Sequence, residues 1–186
     1  MLTHRYDDAL CLAARLHRSQ CRKVTAIPYL SHLLSVSALV IEYGGDEDQA
    51  IAGLLHDAVE DAGGHATGEA IRAQFGDRVA DMVYACSDSD GGQKAPWKQR
   101  KDAYIAAIPG KGDALLVTCA DKVHNVTTIL EDLHTVGPEV FDRFTAGKAG
   151  TLWYYQSLST ALTAAFPGAL SDRLTRQVAS LTEAAR

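Results

Sequence analysis

Residues 51–64 read IAGLLHDAVEDAGG, which puts His56, Asp57, Glu60 and Asp61 directly behind five largely apolar residues. On one helix Asp57, Glu60 and Asp61 fall at i, i+3 and i+4, so three carboxylates crowd one surface at a cost of roughly 0.2–0.5 kcal/mol per exposed pair. Acids and an imidazole set against aliphatic neighbours call for a positive charge between them. A second polar set interrupts the apolar run LLVTCADKVHNVTTIL, where Asp121 and Asn125 are four apart and His124 is three from Asp121. His32, at the start of its own apolar segment, is a third contributor. Together His32, His56, Asp57 and Asp121 offer two neutral imidazoles and two carboxylates to one divalent metal, with coordination positions left for water or substrate. With no thiolate and with oxygen prominent, the set suits Mn²⁺ or Fe²⁺ better than structural Zn²⁺, although zinc remains compatible. Singly, each residue has a plainer reading: a solvated charge cluster at a helix end for His-Asp, a satisfied core histidine for His32, an ion pair with Lys122 or Arg143 for Asp121. The joint pattern carries the metal reading.

The elements that must position these groups are helical almost throughout, because apolar residues recur at helical spacing and bounded strand-like alternation is hard to find. The spacing predicts an all-α chain. A first helix fits 6–18, and the loop CRKVTAIPY follows, with Pro28 barring helical continuation. Ser31 offers an N-cap for HLLSVSALVIEYG, which Gly44 and Gly45 close. Asp46 caps the helix that carries the opening motif and runs to Gly63 and Gly64. On it His56 and Glu60 form one column and Asp57 and Asp61 another. Further helices fit 67–75, 78–87, 96–108, 112–130, 138–147, 149–165 and 170–185. The loop SDSDGGQKAPW is the expected mobile element, and whether its 87–92 portion closes over a ligand is left open.

The 186 residues suit one domain, 1–186, with no linker or repeat to divide it. An apolar fraction of 47% with 22% charged residues is that of a soluble globular protein, and a net charge of −5 argues against nucleic acid as a partner. Cys11, Cys21, Cys86 and Cys119 form no CxxC pair and read as reduced thiols. No signal-type segment or long apolar run is present, so a cytoplasmic protein with no membrane partner is expected. Homo-oligomerisation is compatible with the sequence.

The stretches HRSQCRKVTAIPYLSH (17–32), AGLLHDAVEDAG (52–63), FGDRVADMV (75–83) and CADKVHNVTTI (119–129) stand in the order found in HD-domain phosphohydrolases. More closely, they resemble the hydrolase domain of the RelA/SpoT family and the small alarmone hydrolases. That resemblance implies an HD-domain helical bundle and a Mn²⁺-dependent enzyme of the stringent response. Such an enzyme removes the 3′-pyrophosphate of guanosine tetra- or pentaphosphate, (p)ppGpp, leaving GDP or GTP. It implies the same four metal ligands, with Glu60 and Asp61 as the acid pair that orients or deprotonates the attacking water. It also implies Arg22, Lys23 and Asn125 facing the nucleotide.

A substrate so anionic needs further cations. PWKQRK supplies Lys98, Arg100 and Lys101, for which a solvated helix face is the plainer reading. FTAGKAGTLWYYQ supplies Lys148 and, in its aromatic triplet, Tyr154, for which a core position is the plainer one. His17 reads as a packing or supporting residue, and His4, His65 and His134 as surface histidines. Departures from the family fall elsewhere: SHLLS lacks the usual proline after histidine, AVEDA replaces VVEDT, and VTAI follows the basic pair where glycine is usual. None removes a ligand or an acid, so hydrolysis is expected and recognition of the base is what they affect. The alternatives are an HD phosphohydrolase acting on another nucleotide, such as a nicotinamide cofactor phosphate (NADPH) or a nucleoside phosphate, and a nucleotide sensor that binds without cleaving.

Overall fold

A computed structural model describes residues 1–89 and 95–186. The loop expected to be mobile falls partly on residues 90–94, so that expectation lies outside the described residues. In chain order the α-helices are α1 His4–Leu16, α2 Leu30–Glu42, α3 Glu47–Leu55, α4 Ala58–Asp61, α5 Gly64–Phe75, α6 Asp77–Cys86, α7 Trp97–Ala107, α8 Ala114–Val136, α9 Gly147–Ala165 and α10 Ala169–Ala184. Short 3₁₀ turns cover Ile108–Gly110 and Gly137–Arg143. Among the described residues there is no strand, only an isolated antiparallel bridge between Cys21 and Pro28 that closes the 21–28 loop. Among the described residues no helix is long and apolar enough to cross a membrane.

The 23-residue α8 runs through the middle of the bundle and packs against α2, α3, α6, α9 and α10. Its apolar face, with Val117, Cys119, Ala120, Val123 and Val126, meets Leu33, Val36 and Val40 of α2 and Ile51, Leu54 and Leu55 of α3 in one buried cluster. Burying side chains of this kind is the main driving force for the fold, at roughly 1.5–3 kcal/mol for each large aliphatic one. Gly53 lets α3 approach α2 closely: a Cβ there would lie 3.0 Å from the Ser37 Cα. That contact brings the C-terminal end of α3 beside the start of α2, the two places where His56 and His32 stand.

Several boundaries differ from the sequence expectation. α2 begins at Leu30 rather than after Ser31, because Tyr29 O accepts the N–H of His32 at 2.9 Å and the first turn closes two residues early. The helix over the opening motif keeps its capping box, with Asp46 and Gln49 each bonding the other's backbone N–H, but it stops at Leu55. Asp57 sits at φ −98°, ψ 0°, outside helical geometry, and a separate turn, α4, starts at Ala58. The two columns expected on one continuous helix are therefore broken between His56 and Asp57. Finally, 138–147 is largely a 3₁₀ turn, and α8 extends to Val136.

Candidate metal centre and nucleotide cavity

The break after Leu55 is what points His56 and Asp57 at the same spot. Asp57 Oδ2 lies 3.0 Å from His56 Nε2 and 3.7 Å from His32 Nε2. The two Nε2 atoms are 3.3 Å apart. Asp121, from the centre of α8, brings Oδ1 to 3.3 Å from His32 Nε2 and 3.8 Å from His56 Nε2. Donor atoms shared by one cation at bond lengths near 2.1 Å sit about 3–3.5 Å from each other, so this cluster has the dimensions of a ligand set. The closest-knit group, His32, His56 and Asp57, has its donor atoms all within 4.8 Å of one another.

The hydrogen bonds behind the cluster orient it. His56 Nδ1 donates to Gly53 O at 2.9 Å, which turns Nε2 to the centre. His32 Nδ1 is 2.8 Å from His124 Nδ1; a metal held by His32 Nε2 would leave the proton on Nδ1, with His124 as its acceptor. His124 suits that part, since burial and the neighbouring His32 and Arg22 push its pKa down to about 4 and keep it neutral. The Tyr29 hydroxyl donates to Asp57 Oδ2 at 2.5 Å.

Electrostatics in the same place favour a cation. Burial alone disfavours a charged His56, yet the carboxylates of Asp57 and Asp121 outweigh it and raise its pKa to about 9. The half-buried Asp57 and the buried Asp121 thus favour a proton on a histidine whose side chain is 1% exposed. A divalent ion held by these residues would answer the same field in place of that proton. The donor types, their spacing and this field fit a divalent metal.

A cavity of about 610 Å³ opens beside the cluster, lined by Gln20, Arg22, Lys23, Glu60, Asp61, Asn125 and Thr128 among others. Arg22 Nη2 donates to Asn125 Oδ1 at 2.9 Å and to Thr128 Oγ1 at 3.0 Å, and its guanidinium carbon lies 5.8 Å from the Tyr29 ring centroid. Asn125 in turn donates to Asp121 Oδ1 at 2.5 Å. Asp61 Oδ2 accepts from Gln20 Nε2 at 2.8 Å, and Gln20 Oε1 is held 2.6 Å from His17 Nδ1. His17 itself is buried and stacked on Tyr29, a supporting position.

A second cavity, about 310 Å³, shares Lys23, Glu60 and Phe144 with the first and adds Arg100, Lys101, Thr151, Tyr154 and Tyr155. Arg100 Nη1 and Lys101 Nζ each lie 2.5 Å from one oxygen of Asp88, which fixes both cations on the cavity wall. Of the basic residues picked from the sequence, Lys98 and Lys148 reach neither cavity. Lys98 is on the outer face of α7, paired with Asp102 and lying 3.9 Å over the Trp153 ring; Lys148 is exposed in the first turn of α9. Helical rotation turns Lys98 away from Arg100, whereas Lys101, three residues on, is its neighbour on the helix and is set apart by its bond to Asp88. Residues not picked from the sequence also take part: Tyr29, Gln20, Thr128 and the inward-turned His124 line the larger cavity, while Lys122 and Asp88 stand behind, paired with Asp121 and with Arg100 and Lys101.

Val24, between the cavity-lining Lys23 and Thr25, is 75% exposed and holds φ +57°. The left-handed region costs a β-branched residue about 1–2 kcal/mol, and glycine gives back roughly 0.5–1 in unfolded-state freedom. Val24→Gly is expected to raise stability by about 0.5–1 kcal/mol in a urea titration; a lowered midpoint would assign the side chain a contact that offsets its strain.

A helical bundle with paired histidines and aspartates converging between three helices defines a metal-dependent HD-type domain. Residues 9–152 match the HD domain family, and the chain belongs to it. Among its relatives is the guanosine-3′,5′-bis(diphosphate) 3′-pyrophosphohydrolase MESH1 of Xenopus tropicalis, 35% identical over 136 residues that make up 71% of each chain. A probable GTP pyrophosphokinase of Mycobacterium leprae is 30% identical over 166 residues, 81% of this chain. This chain spans about a fifth or less of the long curated relatives it matches, 20% in that case and 18% for the bifunctional (p)ppGpp synthase/hydrolase SpoT of Escherichia coli K12. Among solved structures, a Listeria monocytogenes EGD-e protein superposes with a TM-score of 0.69 at 31% identity, covering 79% of this chain and 96% of that one. A metazoan ortholog of SpoT that hydrolyses ppGpp gives 0.74 at 24% identity over 95% of both, a likeness of fold.

Proposed function

We infer that the chain is a Mn²⁺-dependent phosphohydrolase that takes the 3′-pyrophosphate from (p)ppGpp, releasing GDP or GTP and pyrophosphate. Residues 1–186 act as one hydrolase unit in the cytoplasm on a small-molecule nucleotide. The observation that carries this is the convergence of the His32, His56, Asp57 and Asp121 donor atoms at the edge of a cavity that also holds Glu60, Asp61 and Arg22. The names of the MESH1 and SpoT relatives supply the substrate class.

The four donors would hold the metal, whose part when bound is to polarise a phosphoryl oxygen and acidify water. Everything else falls to the chain. Glu60 and Asp61 line the cavity beside the donors, and their carboxylates hold the attacking water and take its proton. Gln20 keeps Asp61 turned to that task through its 2.8 Å bond. Arg22 and Lys23 grip one phosphate group in the larger cavity, and Arg100 and Lys101 receive the other in the smaller one, where Tyr154 supplies an apolar wall.

Arg22→Ala removes a charge-assisted contact worth about 1.5–3 kcal/mol, so KM is expected to rise roughly 10- to 100-fold with bound metal unchanged. An unaltered KM would move the substrate out of this cavity. The reading as a whole is tested with a panel of ppGpp, NADPH and nucleoside 5′-monophosphates, each with Mn²⁺ and purified chain. Preferred release of pyrophosphate from ppGpp supports it. Preferred release of phosphate from another nucleotide transfers the same machinery to that substrate, and tight binding without turnover of any makes the chain a sensor.

A further inference from the structure

Lys122 is a cation buried where a second cation is to bind. Its side chain is 12% exposed and that of Asp121, which it meets, is 9% exposed. Lys122 Nζ lies 2.5 Å from Asp121 Oδ2 and 5.0 Å from the centroid of the buried Tyr104 ring. Taking an ammonium group out of water costs several kcal/mol unless a partner offsets it, and that partner is a carboxylate already committed to the histidine cluster.

The two oxygens of Asp121 are divided. Oδ1 faces His32 and His56 and accepts from Asn125, whereas Oδ2 is turned away into the contact with Lys122. A carboxylate free on both oxygens can clasp a cation with both. One with Oδ2 capped offers a single oxygen, and coordination positions stay open for water and phosphate. The same fixed positive charge repels any cation at the cluster and weakens its binding.

We propose that Lys122 is a positioning residue that caps the second oxygen of Asp121, giving up metal affinity to keep Asp121 a one-oxygen ligand. The proposal rests on the metal reading above. It separates Lys122 from Arg22 and Lys23, which line the substrate cavity; Lys122 lines neither cavity.

The test starts with Mn²⁺ titrated into the metal-free purified chain, read by the electron-spin signal of free Mn²⁺, followed by steady-state hydrolysis of ppGpp. Lys122→Met is expected to bind Mn²⁺ at least fivefold more tightly than the unmodified chain, while kcat falls tenfold or more and KM stays within twofold. Lys122→Arg, which keeps the charge, recovers most of the lost kcat and returns the affinity towards its starting value. Should Lys122→Met fail to fold, Lys122→Gln keeps a donor to Oδ2 without the charge and is expected to show the tighter binding. Weaker or unchanged Mn²⁺ binding in a folded, uncharged variant overturns the proposal. So does a raised KM at constant kcat, which would make Lys122 a substrate contact. An unmodified chain that binds no Mn²⁺ overturns the metal reading itself, and is distinguished from the first failure because there the unmodified chain does bind.

Discussion

Asp57→Asn is expected to leave the chain folded and to cost it its metal: Mn²⁺ affinity falls by more than about 100-fold, beyond the 10- to 100-fold typical of losing a supporting partner, and hydrolysis is lost with it. The amide has the shape of the carboxylate and can still accept the Tyr29 hydroxyl, which now donates to Oδ2 at 2.5 Å. What disappears is the negative charge 3.0 Å from His56 Nε2. Burial would raise the Asp57 carboxyl pKa, but His56 and its hydrogen bond hold it well below the usual range, so in the native protein the charge is fully present. Without it, the field that draws a cation to the two imidazoles is roughly halved. The check is Mn²⁺ titration of the metal-free protein beside a far-ultraviolet circular dichroism spectrum. Undiminished Mn²⁺ binding by a folded Asp57→Asn chain would remove Asp57 from the ligand set.

Glu60→Gln is expected to separate binding from turnover. Glu60 lines both cavities yet lies outside the closest donor cluster of His32, His56 and Asp57, so the amide should leave metal content and KM nearly as they are. It cannot accept a proton from water. Loss of a positioned general base lowers kcat by about 10²–10⁴. Single-turnover hydrolysis in saturating Mn²⁺, with metal content measured on the same sample, reads both quantities. Turnover at the original rate would assign proton transfer to Asp61 alone and reduce Glu60 to a charge on the cavity wall.

How far the chemistry could be read in advance depended on whether a residue's surroundings were local. The all-helical class followed from apolar spacing that packing then uses directly, as with Leu33, Val36 and Val40 on α2. Asp46 capped its helix as expected because a capping box involves residues three apart. The break at Asp57 was not legible. Within three residues of it there is no glycine or proline, and the partners Asp57 meets, Tyr29 and His32, stand 28 and 25 positions earlier in the sequence. His124 was visible only as a neighbour of Asp121, since its bond to His32 spans 92 positions.

The basic residues show the same limit. Lys98, Arg100 and Lys101 stand within four positions, and their types alone do not say which face the site. The answer comes from Asp88, whose side chain is 3% exposed and which collects Arg100 and Lys101 while Lys98 turns outward to Asp102. Lys122 was weighed only as the ordinary ion-pair partner of Asp121. That pairing is present, and it coexists with the approach of Asp121 to the two histidines because each of its oxygens serves a different side.

The central claim is that this chain hydrolyses ppGpp with a metal held by His32, His56, Asp57 and Asp121. The most direct measurement is anion-exchange separation of ppGpp incubated with purified chain and Mn²⁺, beside an EDTA control and an Asp57→Ala control. The expected result is conversion to GDP and pyrophosphate that both controls abolish. Intact ppGpp after incubation with a sample shown to hold its Mn²⁺ would contradict the claim, as would conversion that survives EDTA.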